Sequence, residues 1–134
     1  MIKMKHHLGV MDLYPISANK TVMENNPFFQ VKLKERVNAE RLHTAVKQAL
    51  GQHPLFGCTL RYEKGYYLET NEKEFLLIRA TEENRPLAFG DATNGFLWQM
   101  CYDEYTISFE WCHAVSDGKG AFAFFSSVLC HYFG

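Results

Sequence analysis

Apolar and polar positions change their period several times along this chain, and each change marks an element. Over residues 28–33 they alternate, with Phe29, Val31 and Leu33 on one side and Phe28, Gln30 and Lys32 on the other. That is the period of a half-buried strand. The period then lengthens: Leu42, Ala45, Val46, Ala49 and Leu50 recur at i, i+3, i+4, i+7 and i+8, one stripe of an amphipathic helix. Asn38 supplies an N-cap, with Arg41 standing where a capping-box Glu would otherwise be. Gly51 is expected to end the helix as a left-handed cap, and His53-Pro54 to turn the chain into the next strand.

Residues 55–62 and 66–69, joined through Glu63-Lys64-Gly65, read as a β-hairpin. Residues 75–78 form another short apolar strand. Residues 85–95, with Pro86, Gly90, Asp91, Asn94 and Gly95, read as a loop. A second hairpin follows, from residues 97–102 and 105–111 around Asp103-Glu104. In its later strand Ile107, Phe109, Trp111 and His113 share one face, and Ser108, Glu110 and Cys112 the other. After a loop over 116–120, residues 121–132 are helical, with Phe122, Phe125, Ser126, Leu129 and Phe133 along one side as core or as an interface. Upstream, residues 7–13 read as a first strand closed by Tyr14-Pro15. Residues 17–24 leave helix and coil both open, and Asn25-Asn26-Pro27 is a turn. The order β-β-α-β-β-β-β-β-α predicts an α/β (α+β) two-layer sandwich: helices packed on a mixed, largely antiparallel sheet.

No repeat or linker divides residues 1–134, so a single domain is expected. An aromatic content of 15%, with 11 Phe and 7 Tyr, supplies enough bulk for a substantial core. A net charge of -1 and the absence of a basic stripe argue against a nucleic-acid partner. Cys58, Cys101, Cys112 and Cys130 show neither CxxC spacing nor a disulfide framework, which suits reduced thiols in the cytoplasm. Lys3, Lys5, His6 and His7 are followed by no apolar signal-peptide core, and the longest apolar run, residues 121–125, is far too short to span a bilayer. His6 and His7 are expected to be solvated.

The chemistry concentrates in His113-Ala114-Val115-Ser116-Asp117-Gly118. His113 stands where a strand of large apolar residues runs into a polar, glycine-containing loop, so the scaffold holds an imidazole at a cleft. An unperturbed pKa of about 6.5 makes it the natural proton acceptor near neutrality. Asp117 is better placed to fix the loop, through backbone N–H groups or an arginine, than to touch His113. Gly118 and Gly120 remove side chains where an extended ligand would pass. Cys112 and His113 are adjacent on a strand and point apart, so they cannot form a thiolate–imidazole pair. His53 lacks the carboxylate or thiol neighbours of a metal site and reads as a turn histidine. Arg79 and Arg85 read as scattered charges, and Lys119 as a solvated lysine whose sharper role would be to meet a phosphate.

The loop resembles the HHxxxDG signature of the chloramphenicol acetyltransferase-like superfamily, which includes peptide-synthetase condensation domains and alcohol acyltransferases. Asn38-Ala39-Glu40-Arg41-Leu42, Ala49-Leu50 and His53-Pro54-Leu55-Phe56 are similar to that superfamily's first long helix and following strand. Gly65-Tyr66-Tyr67-Leu68-Glu69 and the segments at 97–102 and 109–121 resemble its bacterial alcohol-acetyltransferase branch. The resemblance covers most of the chain, and it implies that only the N-terminal lobe of a two-lobed fold is present. It further implies that His113 is a general base for transfer of an acyl group from a coenzyme A thioester to a small alcohol or amine. Asp117 would anchor the loop, while Ser116, Gly118 and Lys119 would line the donor channel. Neither a metal nor a bound cofactor is implied; the coenzyme A thioester is a co-substrate. Cys112 departs from the signature's first His, the less demanding position. A lone lobe lacks the opposite wall of the tunnel and is expected to be inactive by itself. The alternative is a non-catalytic module that associates with itself or with a second lobe.

Overall fold

In the computed structural model, residues 5–7, 28–79, 93–112 and 118–134 are described. The elements are β1 (Lys5–His7), β2 (Phe28–Lys32), α1 (Ala39–Gln52), a 3-10 turn (Pro54–Gly57), β3 (Cys58–Tyr62), β4 (Tyr66–Thr70), β5 (Leu77–Arg79), β6 (Trp98–Tyr102), β7 (Thr106–Trp111) and α2 (Gly118–Phe133). They follow the predicted order. One sheet runs β1-β4-β3 and the other β2-β7-β6-β5, and a Thr59–Phe96 bridge joins them. Every pairing is antiparallel except β5 with β6. Both helices pack on the four-stranded sheet, giving the mixed two-layer sandwich that the pattern predicts.

Helix α1 starts as expected: Asn38 is extended (φ -97°, ψ 108°) and its Oδ1 accepts the Arg41 N–H at 3.1 Å. Its end differs. Gly51 lies inside the helix, which continues to Gln52, and His53 caps it at φ -131° while donating its N–H to the Ala49 and Leu50 carbonyls. Pro54 is the reason, because the residue before a proline is excluded from the helical region; glycine's freedom is not required here. The strand expected over 55–62 is correspondingly shorter. Pro54–Gly57 wind into the 3-10 turn, and the ladder begins at Cys58. The β3–β4 hairpin closes with Lys64 (φ 55°) and Gly65 (φ 124°) in positive φ. The strand expected over 75–78 is confined to Leu77–Arg79, with Phe75 outside it and stacked on His43. Of the strand expected over 7–13, only His7 lies among the described residues, where β1 pairs His7 with Tyr67. Thus His6 and His7, expected to be solvated near the terminus, have their backbones in a ladder. The turn at 25–27 and most of the loop over 85–95 lie outside the described residues.

The buried face of α2 is Ala121, Phe124, Phe125, Val128 and Tyr132. This corrects the expected stripe: Phe125 is core, but Phe122 and Phe133 are 59% and 58% exposed. Apolar residues cover so much of this helix that its period fits either face, and only packing decides between them.

The core is an aromatic stack. Phe56 lies flat on Phe124, with ring centroids 4.4 Å apart, and Trp98 meets Phe109 at 6.0 Å and Phe124 at 5.7 Å. The Trp98 indole N–H donates to the Phe56 carbonyl at 2.6 Å, tying the 3-10 turn to β6. At the far end, the Asn38 N–H donates to the Tyr132 hydroxyl at 2.9 Å, and Arg41 lies 5.1 Å over the Tyr132 ring. These contacts lock the start of α1 to the end of α2. Replacing Trp98 by Phe removes the donor and leaves the buried Phe56 carbonyl unpaired beside a void. Urea unfolding is expected to show a loss of about 2–4 kcal/mol. A change below about 0.5 kcal/mol would show that the bond contributes nothing net.

Candidate functional site

Strand β7 delivers the chain to the motif. It alternates as predicted, with Ile107, Phe109 and Trp111 buried on the helix side. Trp111 stacks on Phe29 at 4.9 Å and on Phe109 at 5.5 Å, so the end of the strand is wedged in place. One residue further, the Cys112 N–H donates to the Leu97 carbonyl at 2.8 Å, and Cys112 is buried. His113, Ser116 and Asp117 lie outside the described residues. The chain is described again at Gly118, the first residue of α2, where Gly118 and Lys119 are both exposed. Helix α2 is fixed within one turn of that point by fully buried Ala121, then by Phe124 and by Phe125 stacked on Phe109. The described residues on either side of 113–117 are therefore held by one packed scaffold.

The face of the sheet away from the helices carries a polar group that the sequence reading did not single out. Register places Gln99 opposite Glu110 and Cys101 opposite Ser108. Burial pushes the Cys101 thiol up to about 12, with the Glu110 carboxylate adding to the effect. Such a thiol is inert as a nucleophile near neutrality. Burial also raises the Glu110 carboxyl, and the neighbouring Gln99 amide works in the other direction. That contact falls short of hydrogen-bonding geometry: Gln99 is 1% exposed, and neither its Oε1 nor its Nε2 has a partner. The available signal was a lone Glu amid the large apolar residues of 107–111.

His53 is the helix cap described above, edge-on to the Phe124 ring at 5.6 Å, and burial lowers its pKa. That is the turn histidine expected. Among the described residues no three His, Cys, Asp or Glu side chains gather as metal ligands, and no helix is long and apolar enough to cross a membrane. An open groove of about 600 Å³ lies between the β2–α1 connection and the end of α2, lined by Lys32, Lys34, Arg36, Arg41, Tyr132 and Phe133 among others. It sits at the Lys32 end of β2, whereas β7 ends, at Trp111, beside the Phe28 end, where Phe28 pairs with Glu110.

No family model matches the chain, and no curated protein is significantly similar to it. Solved structures are. The starter condensation domain of the rhizomide synthetase RzmA superposes with a TM-score of 0.73 at 11% identity, over 96% of this chain and 37% of that one. The epimerization domain from the third module of tyrocidine synthetase B gives 0.70 at 13% identity, over 99% and 34%. The condensation domain of the Monacolin K polyketide synthase MokA gives 0.66 at 14%, over 98% and 35%. The chain thus has the fold of condensation domains, in agreement with the resemblance read from its motifs, and spans little more than a third of the length of these neighbours.

Raising the pKa of a carboxyl group means that the folded state favours its neutral form. Glu110 therefore costs stability once ionised: the folded protein holds more protons than the unfolded one above the ordinary value of 4.5, and stability falls as pH rises through the folded pKa. Glu110→Gln is expected to raise the melting temperature at neutral pH, with the gain shrinking to nothing below that ordinary value. A gain that persists unchanged in acid would remove the ionised carboxylate as its cause.

Proposed function

We propose that the chain is the N-terminal lobe of a coenzyme A-dependent acyltransferase, with His113 as general base. One observation carries the reading: a His-Ala-Val-Ser-Asp-Gly sequence falls between β7 and α2 of a condensation-domain fold, where both flanks are clamped. In support, a variant of the RzmA starter domain has been solved in complex with C8-CoA, with a TM-score of 0.71 over 92% of this chain.

In this reaction the imidazole of His113 removes the proton of a small alcohol or amine as its oxygen or nitrogen attacks the thioester carbonyl. The carbon–sulfur bond breaks, the new ester or amide forms, and the proton returns to the departing thiolate. Asp117 anchors the loop, Ser116 and Gly118 border the donor channel, and Lys119 stands exposed where a coenzyme A phosphate would pass. No metal and no resident cofactor takes part. The free Cys58, Cys101, Cys112 and Cys130 suit a cytoplasmic protein.

The test is thioester consumption by the complete polypeptide with acyl-CoA and an alcohol or amine acceptor. His113→Ala is expected to lower kcat/KM by roughly 10²–10⁴-fold. A variant as fast as the parent, or a parent with no turnover, overturns the proposal.

A second reading has its own observation. Phe28, Phe122 and Phe133 are each more than half exposed, which is unusual for large apolar side chains lying along one edge of a domain. Under it the chain is an association module that pairs with itself or with a second lobe.

A further inference from the structure

The proposed chemistry uses none of the residues lining the groove between the β2–α1 connection and the end of α2, and the charge there is out of keeping with the chain. The chain as a whole carries a formal net charge of -1. Around the groove stand Lys32, Lys34, Arg36 and Arg41, with Glu35 the one carboxylate in the lining. Arg36 has a partner, Glu104, at 2.8 Å. Lys32 and Lys34 are exposed and meet no carboxylate among the described residues. Gathered like charges repel one another, and an anionic occupant relieves that repulsion. The groove walls are also pinned in advance. Leu33 and Val37 donate their N–H groups to the Tyr105 and Glu104 carbonyls at 2.6 and 2.9 Å, which ties the connection to the β6–β7 turn. Asp103 Oδ1 accepts the Tyr105 and Thr106 N–H groups at 3.0 and 2.7 Å, so that turn is itself fixed. On the other wall the Arg41 guanidinium lies 5.1 Å over the Tyr132 ring. A site held in this way loses little conformational freedom when it is filled.

Two features say what kind of anion fits. Lys32, Lys34 and Arg36 follow one another at alternate positions, so successive cations stand up to about 7 Å apart along the chain. That is the repeat of alternate side chains in an extended peptide, and a row of carboxylates can meet such a row of cations one to one. Between the cations the lining is apolar: Val31 and Leu33 are half-buried, and the Phe133 ring is 58% exposed. An inorganic phosphate offers nothing to these groups, whereas a peptide with apolar residues between its acids covers them. From this we infer that the groove docks a short acidic segment of a partner protein, in which carboxylates alternate with apolar side chains. The docking is independent of acyl transfer, so loss of peptide binding leaves thioester consumption unchanged.

Fluorescence anisotropy tests it, with the full chain titrated into a short fluorescein-labelled peptide of alternating Glu and Leu and into its Gln-Leu counterpart. The Glu-Leu peptide is expected to bind at least about tenfold more tightly than the Gln-Leu peptide, and to weaken as salt rises. K32E/K34E is expected to lower its affinity at least about tenfold. K47E/K73E makes the same change in net charge at exposed positions outside the lining, and is expected to bind as the wild type does. Circular dichroism reports whether the variants fold. No binding of the Glu-Leu peptide, equal binding of the two peptides, or equal weakening by the two double variants overturns the groove as a docking site. Displacement of the bound peptide by an equimolar amount of inorganic pyrophosphate would reveal a phosphate site and overturn the acidic segment as its occupant.

Discussion

One hydrogen bond, from the Trp98 indole to the Phe56 carbonyl, ties the turn after α1 to the start of β6 inside the core. Phe56 sits in the turn that follows α1, and Trp98 opens the strand paired with β7, which precedes the motif in sequence. Because the indole donor and the carbonyl acceptor are both buried, neither has water as an alternative. Phe124 of α2 lies against both rings, so the same point gathers α1, β6, β7 and α2. In sequence, residues 113–117 fall between two of these elements, β7 and α2. The anchorage of the two flanks is thus a consequence of how the core packs.

Such anchorage matters for the proposed chemistry. A general base works only within hydrogen-bond reach of the proton it removes, and a loop that wandered would lose that reach. Trp111, wedged between Phe29 and Phe109, fixes one flank, and buried Ala121 fixes the other within a helical turn. The polar face of β6 and β7 is held less completely. Glu110 and the unpartnered Gln99 amide leave desolvation there uncompensated. Proteins concentrate such costs near functional sites, although structural pairs incur them too.

Much of this was legible in the sequence wherever a local rule had no competitor. Asn38 capped α1 as its side chain dictates, and β7 kept its alternation because one face is buried on helices. The errors arose where two rules met. Gly51 looks like a helix stop, but Pro54 acts later and more strongly. The apolar residues of α2 exceed one face, so Phe122 and Phe124 could not be ranked without the packing partner. The parallel pairing of β5 with β6 and the Gln99–Glu110 apposition depend on register between distant segments, which periodicity does not encode. The candidate base was found from its motif, and the structure describes the motif's two flanks.

A crystal structure of the complete polypeptide with an acyl-CoA and its acceptor tests the central claim most directly. The account predicts the thioester at the end of β7, with a His113 ring nitrogen about 3 Å from the attacking oxygen or nitrogen. An acyl-CoA seated with its thioester in the Lys32–Arg41 groove, remote from His113, would contradict it.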